Sequence, residues 1–130
     1  LRFAISELSK LPFIKMYGPL DPEIQGGVLS FTMDGVHPHD IGTILNEENI
    51  CIRVGSHCAM PLMTRLGIVA TARASFYLYN TEEDIARLVE GLKKVHGIFF
   101  GDRKHVSQNP GKKIQKFSST TILKTSIPVS

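Results

Sequence analysis

Ile50-Cys51-Ile52-Arg53-Val54-Gly55-Ser56-His57-Cys58-Ala59-Met60-Pro61 is the stretch on which the reading of this chain turns. Ile50, Ile52 and Val54 share one face and Cys51 and Arg53 the other, which is the spacing of a strand over residues 50–54. Gly55 lets the backbone leave that strand with little steric restraint. Pro61 then fixes the chain where a short apolar segment, Leu62-Met63-Thr64-Arg65-Leu66-Gly67, begins. Between the two lies a loop carrying Cys58. A thiol held on a loop by ordered flanks suits a nucleophile that must reach a substrate. An unpaired cysteine also serves as a small hydrophobe, and the loop pattern by itself leaves both readings open.

Upstream, Leu1, Ile5 and Leu8 fall at helical spacing and Pro12 stops that helix near Leu11. Phe13 to Tyr17 reads as a short strand, and residues 18–27, punctuated by Gly18, Pro19, Pro22, Gly26 and Gly27, as a loop. Val28 to Met33 alternates cleanly, with Leu29, Phe31 and Met33 on the buried face. Asp34-Gly35 turns the chain into a helix with Pro38 at its first position and Asp40 at its positive end. Ile41, Ile44 and Leu45 form its apolar stripe and Asn49 a left-handed stop. His37 and His39 invite a metal reading with His57. An i, i+2 pair faces two directions, however, and no third ligand has zinc spacing, so no metal is expected.

Downstream, Arg73 to Tyr79 alternates again, Ala74, Phe76 and Leu78 against Arg73, Ser75, Tyr77 and Tyr79. Thr81-Glu82-Glu83-Asp84 has the form of a capping box, followed by Ile85, Leu88, Val89, Leu92 and Val95. This predicts a helix over 81–97, ended by Gly97. Several short half-buried strands interleaved with helices describe an α+β domain, a small mostly antiparallel sheet with helices packed on one face.

The bulk properties fit such a domain. The chain has 130 residues and lacks any run of eighteen apolar ones, so no membrane span is expected. Two cysteines, Cys51 and Cys58, make no disulfide framework and suit a reducing compartment. Residues 1–100 are slightly acidic. The net charge of +3 comes from residues 101–130, where Arg103, Lys104, Lys112, Lys113, Lys116 and Lys124 face Asp102 alone. That composition reads as a basic, poorly ordered tail, and nucleic acid is not an expected partner. The first residue is Leu1, from which we expect a piece of something longer.

Arg53-x-Gly55-x-His57-Cys58-Ala59-x-Pro61 resembles the cysteine loop of the Suf-type (group II) cysteine desulfurases, pyridoxal-phosphate enzymes of the class V aminotransferase family. The resemblance continues through Gly35-Val36-His37-Pro38-His39-Asp40 and through Ala70-Thr71-Ala72-Arg73-Ala74-Ser75-Phe76-Tyr77-Leu78-Tyr79-Asn80-Thr81. It covers roughly residues 1–100, and Ser56 stands where the family loop commonly has a first histidine. The resemblance implies the C-terminal small domain of a fold-type I enzyme that takes sulfur from L-cysteine, leaves alanine and serves iron–sulfur cluster assembly. It implies Cys58 as the thiolate that becomes a persulfide and Arg73 as the guanidinium fork for the substrate carboxylate. Gly55, His57 and Arg53 are then auxiliary loop residues, the last two candidates for favouring ionisation of the thiol. Pyridoxal 5'-phosphate, its lysine and its phosphate cup would belong to an absent large domain, so the isolated chain is expected to be inactive. A sulfur acceptor protein, a homodimer and a cytoplasmic or organelle-matrix location are further implications. A stand-alone persulfide carrier, a non-catalytic fragment, a selenocysteine lyase and a cysteine-sulfinate enzyme stay open as alternatives.

Overall fold

The computed structural model describes residues 1–101, and the basic tail lies outside the described residues. Its elements are α1 (Arg2–Ser9), β1 (Ile14–Tyr17), β2 (Val28–Met33), α2 (Pro38–Glu47), β3 (Arg53–Gly55), α3 (Met60–Leu66), β4 (Thr71–Ser75) and α4 (Glu82–Phe100). The four strands form one antiparallel sheet in the order β1-β2-β4-β3. This is the expected α+β architecture. The last strand inserts between β2 and β3, so β2-α2-β3 is a crossover unit split by β4.

The register explains which face is dry. Phe31 lies opposite Ala72 and Leu29 opposite Ala74. All four are buried, and with Met33 they meet Leu8 and Leu11, Ile41 and Leu45 of α2, and Leu88, Val89, Leu92 and Val95 of α4. The small side chains on β4 leave room for the large ones of β2 under the helices. Helices α2 and α4 approach closely, because a Cβ at Gly91 would stand 2.6 Å from Leu45 Cδ2. Pro38 opens α2 behind His37, whose Nδ1 accepts from His39 N at 3.1 Å. Asn49 takes the left-handed conformation expected of it, φ 58°. Thr81 and Asp84 close the capping box reciprocally.

Three boundaries differ from the sequence expectation. The strand expected over 50–54 pairs only over Arg53–Gly55, although Ile50, Ile52 and Val54 do turn inward. Ile50 N donates to Leu45 O, which ties the approach to β3 to the end of α2. At its other end β4 leans toward β2, Phe76 N donating to Gly27 O. The strands therefore part, and residues 49–52 and 74–76 border a cleft of about 180 Å³. The strand expected over 73–79 runs instead from Thr71 to Ser75. Asn80 ends it by accepting from Tyr77 N through its side chain at 2.8 Å and donating to Tyr77 O through its backbone. Leu78, expected inside, is 90% exposed on that turn. Helix α4 passes through Gly97 and is capped at Gly101, because His96 stacks between Phe13 at 4.1 Å and Phe100 at 4.7 Å. Those ring contacts hold the extra turn. The segment after Cys58 is helical, and Met63 alone of its side chains is buried.

Replacing the fully buried Phe31 by Ala removes the largest side chain in the core and should cost about 3–5 kcal/mol in denaturant unfolding. Thr81→Ala, which deletes only the cap acceptor of α4, should cost about 1 kcal/mol.

Candidate functional site

Register parity puts Arg53 and Gly55 of β3 and Thr71 and Arg73 of β4 on the sheet face away from the main core. Arg53 lies directly opposite Arg73, and Gly55 opposite Thr71. Like charges paired across strands repel. Among the described residues no ion pair relieves either arginine, and Arg73 Nε is buried without a hydrogen-bond partner. Two guanidinium groups on one face, with one donor left over, favour an anion.

The loop after β3 begins at Gly55, whose φ of 129° is a conformation L residues rarely adopt. His57 and Cys58 follow at φ 53° and 60°, two successive non-glycine residues in left-handed geometry. Each costs about 1–2 kcal/mol against the right-handed region. Ala59 N donates to Ser56 O at 2.9 Å and closes the turn. Met63 N to Ala59 O then starts α3, with Pro61 in its first turn. Cys58 sits exposed at the turn, and Cys51 is exposed too, both thiols free.

The imidazole of His57 bridges the loop to the sheet. Its Nε2 lies 3.0 Å from Thr71 Oγ1 and 3.2 Å from the Thr71 carbonyl oxygen. A carbonyl only accepts, so Nε2 carries the proton, and Nδ1 is left buried with no partner. Burial, then the charge on Arg73, then the more weakly felt Arg53, push the His57 pKa below its ordinary 6.5, while the Thr71 carbonyl pulls the other way. The ring is therefore neutral at pH 7.

The fold thus gathers Arg53, Gly55, His57 and Arg73 around the base of the Cys58 loop. It does not gather the other histidines: His37 is occupied as a helix cap, and no three His, Cys, Asp or Glu among the described residues form a metal site. Thr71 went unnoticed in the sequence. The signal was its place two residues before Arg73, which puts both on one face of β4. A cleft of about 320 Å³ between α3 and the sheet, lined by Tyr17, Ser30, Leu62, Met63 and Leu66, reaches the site at Thr71.

The class-V aminotransferase family matches residues 2–88. The chain belongs to that family. A "Probable cysteine desulfurase" of Streptomyces coelicolor is 46% identical over 97 residues, 75% of this chain and 23% of that protein. One of Halalkalibacterium halodurans is 47% identical over 98 residues, with the same two coverages. Among solved structures, a cysteine desulfurase from Thermococcus onnurineus in its apo form superposes with a TM-score of 0.68 at 39% identity, over 72% of this chain and 24% of that one. A cysteine desulfurase from Escherichia coli gives 0.65 at 34% identity, over 73% and 23%. The chain thus spans about a quarter of the length of the relatives it matches.

Members of this family generally use pyridoxal phosphate, and the described residues do not fit that group. The cofactor needs a sequestered amine beside donors for its phosphate. Lys10, Lys15, Lys93 and Lys94 are all exposed. Lys10 pairs with Glu7, Lys94 with Glu48, and Lys15 lies over the Tyr17 ring.

The His57 environment has a testable pH signature. Its folded pKa is depressed, so its contribution to stability is present above about pH 6.5 and is lost as pH falls through the folded value. The stability gap between the parent chain and His57→Gln should narrow between about pH 7.5 and pH 5 in urea unfolding. Parallel curves would remove this histidine from the acid sensitivity of the fold.

Proposed function

We propose that this chain is the C-terminal part of a Suf-type, pyridoxal-phosphate-dependent cysteine desulfurase. In this reading Cys58 takes the sulfur of L-cysteine as a persulfide, the carbon skeleton leaves as alanine, and a sulfur acceptor protein collects the sulfur for iron–sulfur cluster assembly. The cofactor is supplied by polypeptide outside this chain, and the isolated chain is inactive. A homodimer working in the cytoplasm belongs to the same reading. Among the described residues no helix is long and apolar enough to cross a membrane.

The observation that carries the proposal is an exposed thiol on a strained loop that His57 ties to the strand bearing Arg73, on a face where, among the described residues, no acid neutralises the arginines. A small amino acid brings a carboxylate for the arginines and, one carbon chain away, a sulfur for the thiol. Arg73 fits the first role because its planar fork can take both carboxylate oxygens, and its buried Nε lacks a partner. Cys58 fits the second because it is reachable from solvent, and the thiolate form does the chemistry. His57, neutral and bonded through Nε2, braces the loop. Its Nδ1 lone pair is buried, so it is poorly placed to exchange protons with solvent.

In the full-length protein, Cys58→Ala should abolish persulfide formation from labelled L-cysteine while leaving cofactor absorbance intact. Arg73→Lys keeps the charge but loses the fork, and should raise KM for L-cysteine at least about tenfold. Sulfur transfer undiminished in Cys58→Ala would overturn the proposal, and an unchanged KM in Arg73→Lys would remove that arginine from the substrate. A stand-alone sulfur carrier is the second reading, favoured by the free and exposed Cys58 thiol. It requires the 130-residue chain alone to accept persulfide sulfur from a low-molecular-weight persulfide donor on Cys58.

A further inference from the structure

Thr71 is a buried polar residue, 1% exposed, set in the first position of β4, where it lines the cleft shared with Leu62, Met63 and Leu66 of α3. Its hydroxyl and its carbonyl both engage one atom, His57 Nε2. Two backbone restraints bracket the loop, the Ser56–Ala59 turn and the start of α3. The first spans His57 and Cys58 as its two central residues and closes their left-handed turn, but neither bonds that turn to the sheet. Among the described residues, the His57 imidazole makes the side-chain hydrogen bond that ties this loop to the sheet.

We propose that Thr71 is a positioning residue for the Cys58 thiol, acting through His57. Its two oxygens hold the imidazole against β4, and the held imidazole fixes how the left-handed His57–Cys58 turn is set against the sheet. Freed of that grip, the turn pivots about Gly55, and the direction of the Cys58 side chain swings with it. The grip also sets His57, the residue next to Cys58, against the strand face that bears Arg73, with Arg53 directly opposite it. Thr71 needs its hydroxyl for this and not merely its shape. Valine would fill the same volume in the strand and leave the ring only the backbone carbonyl.

The inference rests on the reading that Cys58 is the working thiol, but its test does not depend on desulfuration. The full 130-residue chain is treated with a mixture of iodoacetate and iodoacetamide, and each cysteine is quantified by peptide mass mapping. Cys51, exposed on the approach to β3, is the internal reference. Cys58 follows His57, which is bonded to the strand bearing Arg73, so a turn held there favours the anionic reagent, and the iodoacetate-to-iodoacetamide ratio at Cys58 should exceed that at Cys51 by at least about threefold. Thr71→Val, which leaves only the carbonyl bond, should bring the Cys58 ratio most of the way down to that of Cys51, and Thr71→Ser, which keeps the hydroxyl, should retain most of it. Equal ratios at the two cysteines of the parent chain would overturn the proposal. So would a ratio unchanged in Thr71→Val, or a Thr71→Ser no better than Thr71→Val. If circular dichroism shows Thr71→Val unfolded, His57→Leu in the same assay decides, with the same fall expected. Failure of the desulfurase reading shows elsewhere, in sulfur transfer by the full-length protein.

Discussion

One strand has to serve two environments, and everything else is arranged around that demand. On its dry side β4 offers Ala72 and Ala74 to Phe31 and Leu29, which allows α2 and α4 to close over the sheet. On its other side the same five residues carry Thr71 and Arg73. Being central, β4 is pinned by ladders on both edges, to β2 and to β3. Side chains projecting from so constrained a backbone have little freedom of aim. A guanidinium fork and a buried hydroxyl at fixed spacing are what such a strand can deliver and a loop cannot.

The loop is the complement of that rigidity. Its left-handed residues are costly by themselves, and the cost is met by the Ser56–Ala59 bond within the loop together with the His57 contacts to the strand. A strained segment supported in this way has one arrangement rather than many, and it gives the exposed thiol one direction rather than several. The repulsion between Arg53 and Arg73 belongs to the same design: the two guanidinium groups are held in an arrangement that a bound anion relaxes. Local instability is concentrated on one face while the core under the other face is conventionally packed.

Much of this was legible from the residues in order. Leu29, Phe31 and Met33 announce their strand because alternation over six residues has no rival reading, and α4 because its cap and its stripe agree. The boundaries were harder. Ile50 and Ile52 alternate as strand residues do, yet their backbone leaves the ladder because Ile50 is tied to the end of α2, a contact between elements that periodicity does not encode. Tyr77, Leu78 and Tyr79 prolong an apolar pattern, but the Asn80 side chain turns the chain back before they can pair. Gly97 looks like a stop, and the stacking of His96 with Phe13, distant in sequence, carries the helix past it. At the site, Cys58 and Arg73 stand out by residue type and by resemblance, whereas Thr71 is an ordinary strand residue until its partner's position is known.

The turn that displaces Leu78 also governs how the molecule looks to light. The chain has no tryptophan and three tyrosines. Two of them, Tyr77 and Tyr79, stand 68% and 79% exposed on that turn with their rings edge to face, and Tyr17 is half-buried with its hydroxyl against Thr32. The near-ultraviolet signal of this protein therefore originates mainly at its surface. It is a built-in optical reporter for whatever settles on the turn, and it is nearly blind to the packing of the interior.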